Sequence, residues 1–100
     1  MERILIVDDD PDIQRLVSYN LTQAGFEVAT AETGRTALGL VQKQPPDLII
    51  LDLMLPDVEG IEVCRTLRQR ESSRRIPIVM LTARSEEIDR VKRPWQQCFE

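Results

Sequence analysis

Histidine is absent from this chain, and its absence excludes both catalysis by an imidazole base and metal binding through imidazole. Cysteine is scarce: Cys64 and Cys98 are the only two, and their separation fits no metal-ligand spacing. We therefore expect two reduced thiols, as is usual in a cytosolic protein. Long apolar runs are missing too, because the longest, residues 48–55, is interrupted by Asp52 and is far too short to span a bilayer. No membrane segment is expected.

An excess of basic charge is also missing. The formal net charge is −4 at pH 7, which argues against nucleic acid as a direct partner, because nucleic-acid-binding domains present a basic face.

The first apolar run spans only residues 4–7 and is too short for the core of a signal peptide, so we expect a cytoplasmic protein. Apolar residues make up 42% and charged residues 30% of the 100 residues, which is typical of one soluble globular domain.

Two of the apolar runs that are present end in aspartate. Residues 4–7 lead into Asp8, Asp9 and Asp10, and residues 48–51 lead into Asp52. If both runs are neighbouring parallel strands, about 4.8 Å apart, their carboxyl ends bring at least three carboxylates into one small volume. Like charges about 5 Å apart at an effective dielectric near 20 repel by roughly 3 kcal/mol per pair. A bound cation would offset this repulsion, and Mg²⁺ is the usual occupant of an all-oxygen site.

The pattern of elements predicts the α/β class. Apolar strand-like runs alternate with segments of helical periodicity, which favours a mostly parallel sheet with helices on both faces. In a flavodoxin-like, doubly wound sheet with strand order 2-1-3-4, the first and third strands are neighbours, and ligands bind at their carboxyl ends. The predicted strands cover residues 3–7, 26–30, 47–53 and 76–81, and the predicted helices cover residues 11–25, 35–43 and 61–70, with a fourth beginning at Ser85.

Three stretches of this sequence carry a family resemblance. They are residues 4–10, residues 46–57 together with Gly60, and residues 76–84. With these motifs the chain resembles the receiver domain of bacterial two-component response regulators, most closely the OmpR/PhoB subclass, from about residue 3 to residue 91. The resemblance implies a CheY-like fold and a sensor histidine kinase as partner.

The resemblance also implies a role for each matching residue. Asp52 corresponds to the phosphoacceptor, which takes a phosphoryl group from a phosphohistidine of the kinase and also faces the metal. Asp9 corresponds to a direct Mg²⁺ ligand, and Asp8 to a second acidic residue that acts on the metal directly or through water. The main-chain carbonyl of Met54 corresponds to the remaining protein ligand. Thr82 corresponds to the hydroxyl that turns toward the phosphoryl group.

The resemblance ends after Val91. Members of the family continue with a fifth strand, which ends in a lysine that pairs with the phosphoryl group, and with a fifth helix. Residues 92–100 match neither element. We therefore expect residues 1–91 to form an incomplete receiver domain that lacks the fifth strand and fifth helix, and residues 92–100 to form an atypical tail.

Two other functions are compatible with these residues. The first is a degenerate receiver that binds partners without accepting phosphate, which the missing lysine favours. The second is a haloacid-dehalogenase-like phosphatase, because Asp8 and Asp10 follow a strand with the Asp-x-Asp spacing of that class. In that interpretation Asp8 is the nucleophile and Asp10 the general acid, but the chain is too short for the later lysine and acidic pair. Phosphorylation of Asp52 or of Asp8 would distinguish the receiver from the phosphatase.

The missing fifth helix leads to a prediction about association. Without it, apolar sheet surface and a strand edge remain uncovered, and such surfaces promote oligomerisation or aggregation. We expect the 100-residue chain to form homo-oligomers or to be marginally stable. Light scattering and thermal melting measure both properties, and a monodisperse monomer with a sharp cooperative melt would contradict this expectation.

Overall fold

The computed structural model of the protein describes residues 2–52 and 55–81. Strands and helices alternate along this part of the chain, as the sequence predicts. The elements are β1 (Arg3–Val7), α1 (Pro11–Gln23), β2 (Glu27–Ala31), α2 (Gly34–Lys43), β3 (Leu48–Asp52), α3 (Gly60–Gln69) and β4 (Ile78–Leu81). The predicted fourth helix and the predicted absence of a fifth strand fall on residues 82–100, outside the described residues.

The four strands form one parallel sheet with the order β2-β1-β3-β4. This confirms the predicted doubly wound α/β fold and its strand order. Ile6 of β1 lies opposite Thr30 of β2 and Ile50 of β3, and Ile50 lies opposite Val79 of β4. β1 is therefore a central strand, which agrees with its nearly continuous apolar sequence.

The main core lies between the sheet and the helices α2 and α3. Leu5, Ile49 and Ile78 are fully buried on this face of the sheet, and they pack in one cluster with Val41 of α2 and Leu67 of α3. Burying one such side chain contributes about 1.5–3 kcal/mol. Because the cluster also includes Ala31 of β2, it draws on all four strands and two helices and fixes them relative to one another.

The opposite face of the sheet is covered less evenly. Helix α1 contacts β1 and β2, and Ile6 on this face is completely buried. Toward the far edge the cover thins: Ile50 is half-buried, and Val79 is 40% exposed. Uncovered apolar sheet surface is therefore present at β4 among the described residues, and self-association through it stays a prediction.

Helix α1 begins at Pro11, as predicted, and ends at Gln23, before the predicted end at residue 25. Asp10 Oδ1 accepts hydrogen bonds from the N–H groups of Asp12 at 2.9 Å and Ile13 at 3.4 Å, and Pro11 takes the first helical position. Beyond the last helical turn the chain reverses through Gly25, whose φ of 95° is the left-handed conformation that glycine adopts without strain. Asp10 is therefore the N-cap residue of α1.

The basic residue in the last turn of α3, Arg68, makes hydrogen bonds within the fold. Arg68 Nη1 donates to the main-chain oxygens of Arg74 and Ile76, both at 2.8 Å, and so ties α3 to the turn that leads into β4. Burial lowers the pKa of the Arg68 guanidinium. In the same turn, the hydroxyl of the fully buried Ser73 donates to the carbonyl of Leu67 at 2.7 Å. Arg68 therefore helps to hold the turn between α3 and β4.

The chemical state of Cys64 differs from the reduced thiol that the sequence predicts. It is completely buried on the inner side of α3, and the structure assigns it to a disulfide bond. The expectation of a reduced thiol is therefore wrong for Cys64. Cys98, the only other cysteine of the chain, lies outside the described residues.

The helices within residues 2–52 and 55–81 include no candidate for a membrane-spanning helix. None of them combines the length with the apolar character that crossing a bilayer requires.

Two glycines of α2 make a matched test of its packing against α3. A Cβ added at Gly34 would lie 2.8 Å from Val63 Cγ2 and 3.1 Å from Val58 Cβ, whereas a Cβ at Gly39 would meet nothing within 4 Å. We predict that Gly34→Ala lowers the free energy of unfolding by about 1–3 kcal/mol through overpacking. Gly39→Ala should raise it by about 0.5–1 kcal/mol, because alanine loses less backbone entropy in a helix.

Urea unfolding of both variants beside the unmodified chain checks this prediction. If Gly34→Ala proved as stable as Gly39→Ala, the close approach of α2 to α3 at Gly34 would be contradicted.

Candidate metal centre

The structure brings together three of the carboxylates that the sequence singled out. Asp8, Asp9 and Asp52 each offer an oxygen, and these atoms all lie within 4.8 Å of one another. Asp8 is buried, with 5% of its surface exposed, Asp52 is half-buried and Asp9 is exposed. The group therefore reaches from the protein interior to solvent, at the carboxyl edge of the sheet. The roles assigned to these residues stay predictions.

Strand pairing explains why residues so far apart in the sequence meet. Val7 of β1 lies opposite Leu51 of β3 in the parallel register, so the residues that follow them, Asp8 and Asp52, leave the sheet side by side. The N–H of Asp8 donates to the carbonyl of Ala31 at 3.0 Å and extends the β1–β2 ladder by one residue. The position of Asp8 is thus set by both neighbouring strands.

The connection between β1 and α1 is held by further hydrogen bonds at Asp8. Its Oδ1 accepts the N–H of Asp10 at 2.9 Å, and its main-chain oxygen accepts a hydrogen bond from the side chain of Gln14. The second carboxylate oxygen makes neither of these bonds. Gln14 is not among the predicted site residues, because in the sequence it has the ordinary appearance of a polar residue in an amphipathic helix.

The donor set fits a hard divalent cation. All three groups supply carboxylate oxygen, which suits Mg²⁺ or Ca²⁺ and not the softer metals that prefer nitrogen or sulfur. Three ionised carboxylates at this separation repel one another by roughly 3 kcal/mol per pair at an effective dielectric near 20. Because Asp8 is buried, water relieves only part of this repulsion, and a cation would relieve the rest.

Two of the predicted site residues cannot be compared with the structure. Met54, whose carbonyl the resemblance assigns to the metal, and Thr82, the predicted hydroxyl at the end of the fourth strand, both lie outside the described residues.

Asp57, in the loop between β3 and α3, binds the backbone of another element. It accepts the N–H of Gly34 through Oδ1 at 2.9 Å and that of Arg35 through Oδ2 at 3.1 Å, a contact that no sequence motif indicates. Its carboxylate thus lies at the amino end of α2, where unpaired N–H groups and the helix dipole favour negative charge. The hydrogen bond from Gly34 is the largest cause of a lowered Asp57 pKa.

Comparisons with known proteins find relatives of similar sequence and similar fold. The family description "Response regulator receiver domain" matches residues 4–94. The chain is 49% identical over 90 residues to the alkaline phosphatase synthesis transcriptional regulatory protein PhoP of Bacillus subtilis. It is 50% identical over 92 residues to the phosphate regulon transcriptional regulatory protein PhoB of Rhizobium meliloti. These matches cover 90% and 92% of the chain but only 37% and 40% of the two relatives.

Solved structures of known proteins have a fold similar to that of this chain. The chemotaxis response regulator CheY4 of Vibrio cholerae superposes with a TM-score of 0.88 at 36% identity, covering 98% of this chain and 80% of that one. The receiver domain of the sensor histidine kinase PA1611 of Pseudomonas aeruginosa superposes with a TM-score of 0.85 at 30% identity, covering 97% and 78%. That receiver domain was solved with a magnesium ion coordinated in its active-site cleft.

The lowered pKa of Asp57 predicts how stability depends on pH. A carboxyl group whose pKa is lower in the folded state stabilises the fold above its ordinary pKa of 3.8 and loses that contribution as the pH falls through the lowered value. We therefore expect Asp57→Asn to destabilise the chain at about pH 7, and this difference to shrink toward about pH 3.

Urea unfolding across this pH range, with EDTA present, measures the difference. Glu59→Gln is the matched control, because Glu59 lies in the same loop and makes no capping hydrogen bond with its side chain. A stability difference between Asp57→Asn and the unmodified chain that stayed constant with pH would contradict the capping role.

Proposed function

This chain belongs to the family of response regulator receiver domains, and from this membership we propose that Asp52 accepts a phosphoryl group from a sensor histidine kinase. The family serves phosphorylation-dependent two-component signalling, in which a receiver is a phosphoacceptor and not an enzyme in the usual sense. The juxtaposition of Asp52 with Asp8 and Asp9, within 4.8 Å at the carboxyl edge of the sheet, carries the proposal.

We assign a Mg²⁺ site to Asp8, Asp9, Asp52 and the main-chain carbonyl of Met54. When bound, the ion offsets negative charge on the oxygens of the transferring phosphoryl group. Buried Asp8 and exposed Asp9 follow each other at the end of β1, so their carboxylates approach such an ion from the interior and from the solvent side.

Asp52 supplies the nucleophile in this proposal. One of its carboxylate oxygens attacks the phosphorus of the phosphohistidine; the new P–O bond forms as the P–N bond breaks, and the imidazole leaves with the electron pair and takes up a proton. The product is an acyl phosphate on Asp52. Because Asp52 is half-buried at the end of a strand, the backbone holds it in place while solvent and the donor can reach it. We assign to the Thr82 hydroxyl a hydrogen bond to a phosphoryl oxygen.

The proposal extends to partners and location. The chain spans about two fifths of the length of the curated relatives it matches, so the activity of a whole regulator lies beyond what this segment can perform. With a net charge of −4, we propose that this segment makes no direct contact with nucleic acid. We also propose a cytoplasmic location, because ATP, the source of the phosphoryl group on a kinase histidine, is a cytoplasmic metabolite.

The hydrogen bonds that Asp10 accepts argue against the phosphatase alternative. A general acid must be able to reach the leaving group of its substrate. Asp10 instead caps α1, with its Oδ1 accepting the N–H groups of Asp12 and Ile13. No described residue favours the phosphatase. Phosphorylation of the chain by a small phosphodonor distinguishes the degenerate receiver from the phosphoacceptor.

We predict that the chain gains the mass of one phosphoryl group when it is incubated with acetyl phosphate and Mg²⁺. The gain should be lost in EDTA and in Asp52→Asn, because the variant lacks the nucleophilic carboxylate. Asp12→Asn is the matched control: it removes an exposed carboxylate of α1 and should be labelled like the unmodified chain. Intact-mass spectrometry and peptide mapping give the readout.

Each other outcome has a definite meaning. No mass gain on the unmodified chain would favour the degenerate receiver. Labelling that persists in Asp52→Asn and maps to Asp8 would favour the phosphatase.

A further inference from the structure

Gln14 joins three elements at the edge of the sheet where the carboxylates meet. It lies in the second turn of α1, and its side-chain nitrogen donates to the main-chain oxygens of Asp8 and Ala31, the latter at 2.8 Å. Asp8 directly follows β1, and Ala31 is the last residue of β2. One amide group thus connects the start of a helix to the ends of two strands.

The bond to Asp8 bears directly on the carboxylates. A peptide unit is planar, so the direction of the Asp8 carbonyl also sets the direction in which the chain continues to Asp9. The N–H of Asp8 is held by Ala31 at 3.0 Å, and its Oδ1 accepts the N–H of Asp10 at 2.9 Å. With the carbonyl bound by Gln14, every main-chain polar group of Asp8 and one of its carboxylate oxygens has a partner.

The side chain of Gln14 is uncharged, which suits a position at the edge of the sheet where the carboxylates meet. Its amide is neutral and directs hydrogen-bond donors at two carbonyl oxygens, beside three acidic side chains. A glutamate here would direct acceptors at acceptors and add a fourth negative charge to the region. A shorter amide would not span the distance from α1 to both strands.

We propose that Gln14 is a positioning residue for the carboxylate centre: by fixing the main chain at Asp8, it sets where the carboxylates of Asp8 and Asp9 stand relative to Asp52. Gln14 acts through Asp8 and is not itself assigned as a metal ligand. The inference rests on the proposed function, because it takes the three carboxylates to hold a divalent cation.

The test measures metal binding by the full chain, apart from phosphorylation. Mn²⁺ binding is followed by the electron paramagnetic resonance signal of the free ion, and Mg²⁺ by its competition. Gln14→Met keeps the length of the side chain and removes both donors. We expect it to bind Mn²⁺ about tenfold more weakly, the loss usual for residues that orient metal ligands.

A second amide on the same helix supplies the control. Within residues 2–52 and 55–81, Asn20 Nδ2 donates to the Leu16 carbonyl of its own helix alone, at 2.9 Å, and Asn20 is exposed. Asn20→Met should therefore bind Mn²⁺ like the unmodified chain. Gln14→Asn keeps an amide but shortens it by one methylene, and it serves as the second variant should Gln14→Met fail to fold; we expect the same weakening. Urea unfolding confirms that each variant is folded in the titration.

The outcomes separate this inference from the proposed function. If a folded Gln14 variant binds Mn²⁺ as tightly as Asn20→Met and the unmodified chain, the positioning role is overturned, and the metal site stands. If the unmodified chain binds no Mn²⁺, or Asp9→Asn binds it as well as the unmodified chain, the proposed metal site is overturned, and this inference falls with it.

Discussion

The parallel pairing of β1 with β3 is the constraint on which the site depends. Its register places Val7 opposite Leu51, so that two strands separated by some forty residues of chain end side by side in aspartate. The pairing collects carboxylates that would otherwise repel one another, and the buried core beneath the sheet resists that repulsion. Shifting the register would turn these side chains to opposite faces and separate them.

Around this pairing, hydrogen bonds at the edge of the sheet hold the loops in place. Asp10 caps α1, Gln14 of the same helix binds the carbonyls of Asp8 and Ala31, and Asp57 binds the amino end of α2. All three side chains act on main-chain groups and not on one another. The fold thus positions the elements that carry its carboxylates through hydrogen bonds to the backbone.

The predictable part of the structure rests on local pattern. Apolar runs identified the strands, helical spacing identified the helices, and the carboxyl ends of the first and third strands predicted the meeting of Asp8, Asp9 and Asp52. Element boundaries were less accurate: β4 begins at Ile78 and not at residue 76, since Pro77 has no N–H to donate to the ladder. The contact of Asp57 with the amino end of α2 was not predicted, because its partners lie at positions 34 and 35 and no motif connects them.

The amino-acid sequence by itself determined the class of fold and the carboxylates that follow two of its apolar runs, because strand and helix periodicity and aspartates that end apolar runs are local properties. The order of the strands was predicted from the flavodoxin-like fold that this alternation favours. Only the tertiary structure decided that Gln14 binds a carbonyl 17 residues away and that Asp57 caps a helix 23 residues before it. The physical reason is that a hydrogen bond requires its two groups to meet within about 3 Å. Whether distant residues meet depends on how whole elements pack, which sequence spacing does not record.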